Sequence, residues 1–173
     1  NRASGAGAVA IGFHNVAGPT GSDISNIPPS STNLGGQFAV GYGTQATGHA
    51  TFSAGQGTTA SGNYSTAFGR SSTASGSFST AMGDSTTATD YASLVIGQYN
   101  SSGSSATSAT TFSTSAPAFV IGNGTLGSLS DAFKVMFNGD ATVSNDLTVS
   151  GDVNISSDAR LKSNIVSLGS TLS

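Results

Sequence analysis

Between residues 46 and 100 small apolar, glycine and hydroxyl-bearing positions recur in sevens, as in "ASGNYST AFGRSST ASGSFST AMGDSTT" (60–87). Gly55, Gly69, Gly83 and Gly97 are spaced 14 residues apart, and Gly48, Gly62 and Gly76 form a second ladder offset by seven. In the 14-residue frame that begins at Ala46, Ala60, Ala74 and Ala88, position five is Ala50, Tyr64, Phe78 and Ala92. Position nine is Ala54, Phe68, Met82 and Ile96. Seven is also the coiled-coil period, but each glycine in a helix interior costs about 1 kcal/mol relative to alanine. The flanking charges that coiled coils use are missing too. The pattern predicts an all-β solenoid instead. Each seven is one short strand and a tight turn, with Gly supplying positive φ. Two sevens close a coil, and coils stack about 4.8 Å apart. Ala and the larger position-nine residues are expected to point inward, with Ser and Thr outward or in turns.

The array reaches beyond the regular repeats. "AVAIG" (8–12), "FAVGYG" (38–43), "LVIGQYN" (94–100) and "AFVIGNG" (118–124) carry the same apolar–glycine signature. They bracket two insertions, 16–36 and 100–117, rich in Ser, Gly and Pro. These read as loops projecting from the coils, where recognition often resides. Residues 1–124 are therefore one β-roll. From 125 to 156 the chain alternates apolar and polar residues, with Phe133, Val135 and Phe137 on one face and Val143, Leu147, Val149, Val153 and Ile155 in later strands. Asn138-Gly139 and Ser150-Gly151 are hairpin-turn signals. This is a β-rich neck. Leu161, Ile165, Leu168 and Leu172 are at helical spacing and predict a short amphipathic helix from about 166.

Composition bears on assembly. Hydrophobic residues are 36% of the 173-residue chain, many of them alanine, and charged residues are 8% with no Glu. A buried Ala contributes well under about 1 kcal/mol at 25 cal/mol per Å², while ordering a residue's backbone costs about 1–2 kcal/mol. One such thin solenoid is marginal alone, so packing against copies of itself is expected. The net charge is −3 and five basic residues form no patch, which argues against nucleic acid. No apolar run is long enough to cross a membrane as a helix. The chain begins at Asn1 and reads as a piece of something longer.

Reactive groups are sparse. Cysteine is absent, which removes thiol chemistry. His14 and His49 lack companions at ligand spacing and read as turn or surface residues, so no metal or cofactor is expected. Asp146 and Asp152 sit beside turn residues, as do Asp84 and Asp90, and read as turn formers rather than a glycosidase carboxylate pair. Tyr42, Tyr64, Phe78 and Tyr91 read as core or subunit-interface residues, with sugar stacking as the other reading.

The ladder, in "FAVGYGTQATG", "ASGNYSTAFG", "ASGSFSTAMG" and "SLVIGQYN", resembles the heads of trimeric autotransporter adhesins of the YadA type. That resemblance implies a left-handed parallel β-roll with three chains around one axis. "SSDARLKSNI" (156–165) resembles the opening of the endosialidase-type intramolecular chaperone domain, which ends many phage tail fibres and tailspikes. This second resemblance implies Ser157 as nucleophile and Lys162 as general base, with a single cut just before Ser157. A lysine of lowered pKa can activate a hydroxyl in this way. In this reading 157–173 begins a chaperone-like segment.

The expectation is a structural and binding protein, not an enzyme. It is an extracellular, cell-surface or virion fibre segment, homotrimeric, attaching to a surface receptor such as a glycan through its loops. Rival readings are a self-cleaving fibre precursor using Ser157 and Lys162, and an ice-binding solenoid.

Overall fold

A computed structural model describes residues 1–3, 7–18 and 35–150. Its strands run β1 (Arg2–Ala3), β2 (Val9–Phe13), β3 (Val16–Ala17), β4 (Phe38–Tyr42), β5 (Gln45–Ala46), β6 (Phe52–Gln56) and β7 (Thr59–Ala60). They continue with β8 (Thr66–Arg70), β9 (Thr73–Ala74), β10 (Thr80–Asp84), β11 (Thr87–Ala88), β12 (Leu94–Gln98), β13 (Pro117–Asn123), β14 (Asp131–Met136) and β15 (Ala141–Val143). The two-residue strands stack in a six-stranded sheet, β1-β3-β5-β7-β9-β11. The longer strands form a nine-stranded sheet, β15-β14-β13-β12-β10-β8-β6-β4-β2. Pairing is parallel from β2 to β13 with no slip in the repeat frame: Thr66, Thr80 and Leu94 are in register, as are Gly69, Gly83 and Gly97. The architecture is the parallel β-solenoid that the period predicts.

What points inward differs from the expectation. The buried columns are position one (Ala46, Ala60, Ala74, Ala88) and position eight (Ser53, Ala67, Ala81, Val95). With them are the hydroxyl columns at position six (Thr51, Ser65, Ser79, Ser93) and position thirteen (Thr44, Thr58, Ser72, Thr86). Phe68 and Met82 at position nine are exposed. The cause is strand alternation: once position eight faces inward, seven and nine must face out. The interior is so narrow that Val95 and Val120 are its largest fully buried apolar side chains. Small hydroxyls fit there because the coils offer them carbonyls. Ser65 Oγ donates to the Ala74 carbonyl at 3.1 Å, Ser79 Oγ to Ala88 at 3.2 Å, and Ser72 Oγ to Gly83 at 3.0 Å. These bonds remove most of the penalty for burying a hydroxyl.

The turns also depart from the expectation. Each coil has three positive-φ residues: the glycine of its long strand, such as Gly69 (φ 112°), and two turn residues that are mostly not glycine, such as Tyr64 (φ 60°), Phe78 (φ 61°), Ser71 (φ 52°) and Ser85 (φ 54°). Each such non-glycine residue costs about 1–2 kcal/mol. An inter-coil hydrogen bond offsets this at every one, such as Phe78 N–H to the Asn63 carbonyl at 2.7 Å and Ser85 N–H to Arg70 at 2.7 Å. The ladder of Gly55, Gly69, Gly83 and Gly97 supplies positive φ as expected, and both glycine ladders also answer a second need, close backbone approach. A Cβ on Gly69 would stand 2.1 Å from the Gly83 carbonyl oxygen, and one on Gly62 would stand 2.1 Å from that of Gly76.

Asparagine marks the coils where the chain leaves the regular repeat. Asn15 and Asn100 occupy the hydroxyl column at position thirteen, are buried, and flank the two insertions. Asn100 Oδ1 accepts the Thr87 N–H at 2.8 Å and its Nδ2 donates to the Thr87 carbonyl at 2.9 Å. Its side-chain amide thus replaces the peptide of the coil that the insertion interrupts. The first insertion is shorter than 16–36, since Val16 and Ala17 already form β3; residues 19–34 lie outside the described part. The neck forms the expected hairpin, with β14 and β15 antiparallel about Asn138-Gly139. Leu147 and Val149 are exposed and outside any strand. The Ser150-Gly151 turn, the strand residues Val153 and Ile155, and the helix from about 166 fall outside the described residues.

The two glycine roles separate by mutation. Gly62→Ala, whose φ is not positive but whose Cβ would stand 2.1 Å from the Gly76 carbonyl oxygen, should destabilise the roll by about 2–4 kcal/mol, the range of severe packing lesions. Gly57→Ala, with φ 63°, only an ordinary 3.8 Å contact to Ser71 Oγ, and Ser71 at the equivalent place, should cost no more than about 1–2 kcal/mol. Urea unfolding followed by far-UV circular dichroism measures both. Equal losses would refute the close-approach account.

Candidate functional site

The long sheet has an outer face on which one column is apolar along the whole described length: Ile11, Val40, Ala54, Phe68, Met82, Ile96 and Ile121. The column beside it holds Val9, Phe38, Phe52, Leu94 and Phe119 and is interrupted in the middle by Thr66 and Thr80. Ile11 is 53% exposed, Phe68 49% and Met82 44%. The stripe does not stop where the repeats stop. Register places Val135 beside Phe119, Phe133 beside Ile121 and Val143 beside Phe133, so both columns pass into the neck. A contiguous apolar surface of this kind marks an interaction site rather than ordinary scatter. Sequence reasoning assigned these side chains jointly to core and interface; the structure assigns them to the surface.

The second insertion does not project. It is hydrogen-bonded along the edge of the last coils: Ser77 N–H to Ala109 at 2.8 Å, Tyr91 N–H to Ser108 at 2.8 Å, and Thr89 Oγ1 to Gly103 at 2.7 Å. Asp90 fixes it. This residue takes the place of glycine in the column of Gly48, Gly62 and Gly76, and it is fully buried. Its Oδ1 accepts the N–H groups of Thr107 at 2.6 Å and Ser108 at 2.7 Å. Asp131 does the same at the start of the insertion, accepting Ser101 N–H at 2.8 Å and Ser102 N–H at 2.9 Å. Asp90, read from the sequence as a turn former, is thus a buried anchor. The signal was a carboxylate breaking an otherwise glycine column.

The remaining candidates are scattered. His14 is exposed in a turn, with its ring edge-on to Phe13 at 4.0 Å. His49 packs edge-on against Tyr64 at 5.0 Å. No group of three or more His, Cys, Asp or Glu able to hold a metal exists among the described residues. Tyr64 and Phe78 stack at 4.8 Å, Phe78 meets Tyr91 at 5.3 Å, and Tyr42 stacks on Phe13 at 5.6 Å. These rings form columns outside the roll, not core. Asp146 is exposed, and Asp152, Ser157 and Lys162 lie outside the described residues. Asp84 pairs with Arg70 of the preceding coil on the surface. The hydrogen bond to Arg70 holds the Asp84 carboxyl below its ordinary value, aided by one from Ser85, and the same pairing raises Arg70.

A thin parallel roll with a hydroxyl-lined interior and an apolar outer stripe is the architecture of a repeat-built solenoid. Residues 46–72, 60–86 and 74–100 match the YadA head domain repeat. The chain thus carries head repeats of the YadA type across its regular coils. No curated protein and no solved structure matches the chain.

Two expectations test this anatomy. Hydrogen bonds to a charged acceptor contribute about 1.5–3 kcal/mol each, so Asp90→Ala should speed amide exchange at Thr107 and Ser108 by at least about tenfold. Amides of β8 should be unchanged; an undisturbed insertion would remove the anchor role. For Asp84, a carboxyl lowered by folding stabilises the roll above its unfolded value of 3.8 and loses that increment as pH falls through the lower folded value. Wild type should therefore lose a small increment of thermal stability below about that pH which Asp84→Asn never has.

Proposed function

We propose that this chain is a segment of a trimeric, adhesin-type surface fibre, in which three parallel copies bury the apolar stripe of the long sheet against one another. The observation that carries this is the stripe's continuity on one face from Ile11 through Phe68, Met82 and Ile121 to Phe133 and Val143. A face of phenylalanine, isoleucine and methionine left in water forgoes about 25 cal/mol for each Å² that packing would bury. A rotation axis parallel to the roll lets every coil meet its equivalent, so each repeat adds the same increment. The match to YadA head repeats supports three as the copy number and the cell exterior as the location.

In such a rod the insertion 101–116 rides on the outside in three copies. Attachment then works by multivalency: weak contacts to a surface receptor add because the copies are held at fixed spacing. The docked insertion 101–116 is suited to this role, because Asp90 and Asp131 order it before any partner arrives, so less ordering cost falls on binding.

Light scattering coupled to size exclusion should give three times the 16.9 kDa chain mass. Phe68→Asp together with Met82→Asp should dissociate the assembly. Thr73→Asp, on the outer side of the short-strand sheet, should leave it intact. A folded monomer of the wild-type chain at micromolar concentration would overturn the proposal.

A further inference from the structure

Where the roll ends, its two sheets end at different heights. The short-strand sheet stops at β11, whereas the long sheet runs on through β13, β14 and β15. The inward face of β14 therefore has no opposing sheet. Register sets Lys134 beside Val120, continuing the buried column of Ala67, Ala81 and Val95. A cation stands where every earlier coil has Ser, Ala or Val. Opposite it, the docked insertion supplies the second wall, leaving a cavity of about 290 Å³ lined by Ser102, Ser104, Ser115, Pro117, Lys134 and Met136 among others. That volume is at the small end of ligand sites.

The chemistry of the lining is specific. Lys134 forms no ion pair among the described residues. The neighbouring carboxylate, Asp131, is occupied by the N–H groups of Ser101 and Ser102. Around the ammonium are serine hydroxyls that both donate and accept, and an apolar patch of Pro117 and Met136. One cation, several two-way hydroxyls and one small apolar surface match one anionic group, several ligand hydroxyls and the C–H face of a ring. We propose that this cavity binds an acidic monosaccharide unit, with its carboxylate on Lys134. The proposal rests on the surface-attachment reading and names the ligand class. All of the lining comes from one chain, so the site is complete in each copy.

Glucuronate is the probe, with glucose as its neutral counterpart and acetate as the bare anion. Titration of the intact chain, followed by amide and methyl NMR, should shift Ser102, Ser104 and Met136. A charge-assisted contact added to sugar hydrogen bonds should make glucuronate at least about tenfold tighter than either control. Lys134→Met should bring glucuronate down to the level of glucose. Ser115→Tyr, on the exposed insertion, should abolish both while circular dichroism shows the roll intact. Glucuronate binding no tighter than acetate, a glucuronate affinity unchanged by Lys134→Met, or binding that survives Ser115→Tyr would overturn the proposal. Assembly is read separately: a monomer that binds glucuronate leaves the cavity standing and removes the fibre reading. A trimer that ignores glucuronate does the reverse.

Discussion

Two short strands closed into a 14-residue coil leave between them a space only one small side chain deep, and this width governs the molecule. Nothing larger than valine enters it from the apolar residues of the regular coils. Alanine fills part of it. Serine and threonine fill the rest, because neighbouring coils present carbonyls that their hydroxyls reach. A core of this kind buries little apolar area, and the larger side chains of the same strands have one direction left, outward. The apolar outer stripe is thus a consequence of the narrow interior, and it is the surface that the proposed trimer would bury.

The period, the parallel stack and the neck hairpin were legible in the sequence, each for a local reason. Equal glycine spacing means equal coils, and Asn138-Gly139 means a turn. The direction of position nine was not, because apolar size alone suggests burial. The better guide was size uniformity. Positions one, six, eight and thirteen never exceed valine or threonine in the regular coils, whereas position nine ranges from Ala54 to Phe68 and Met82. A column that tolerates such a range cannot lie inside a tube of fixed width. The role of glycine was read only in part. One glycine ladder has the positive φ expected of it, but aromatic and serine residues hold most of the left-handed turns, and both ladders stand where one backbone presses on the next.

Departures from the repeat carried the information about where the stack changes. Asparagine replaces serine or threonine in the thirteenth column at Asn15, whose Oδ1 accepts the Thr44 N–H, and at Asn100, whose amide stands in for a missing peptide. Aspartate replaces glycine at Asp90, at the coil where the following backbone no longer presses in and a loop must be held. Neither was legible from residue type alone, since Asn and Asp are ordinary turn residues. Their position in the repeat frame distinguishes them.

The same frame explains why the C-terminal end of the roll differs in kind from its middle. Along the coils every inward position is covered by the opposite sheet, so a polar group there must be small and paired with the backbone. Beyond β11 that cover is gone while the long sheet continues, and the inward face can carry Lys134 without burying it among hydrocarbons. The outward face continues unchanged through Phe133, Val135 and Val143. One sheet therefore keeps its packing surface on one side and gains a polar recess on the other. A rod built from copies of this chain can accordingly stay bonded through its neck while opening, at the end of each roll, a cavity that the repeats themselves have no room to make.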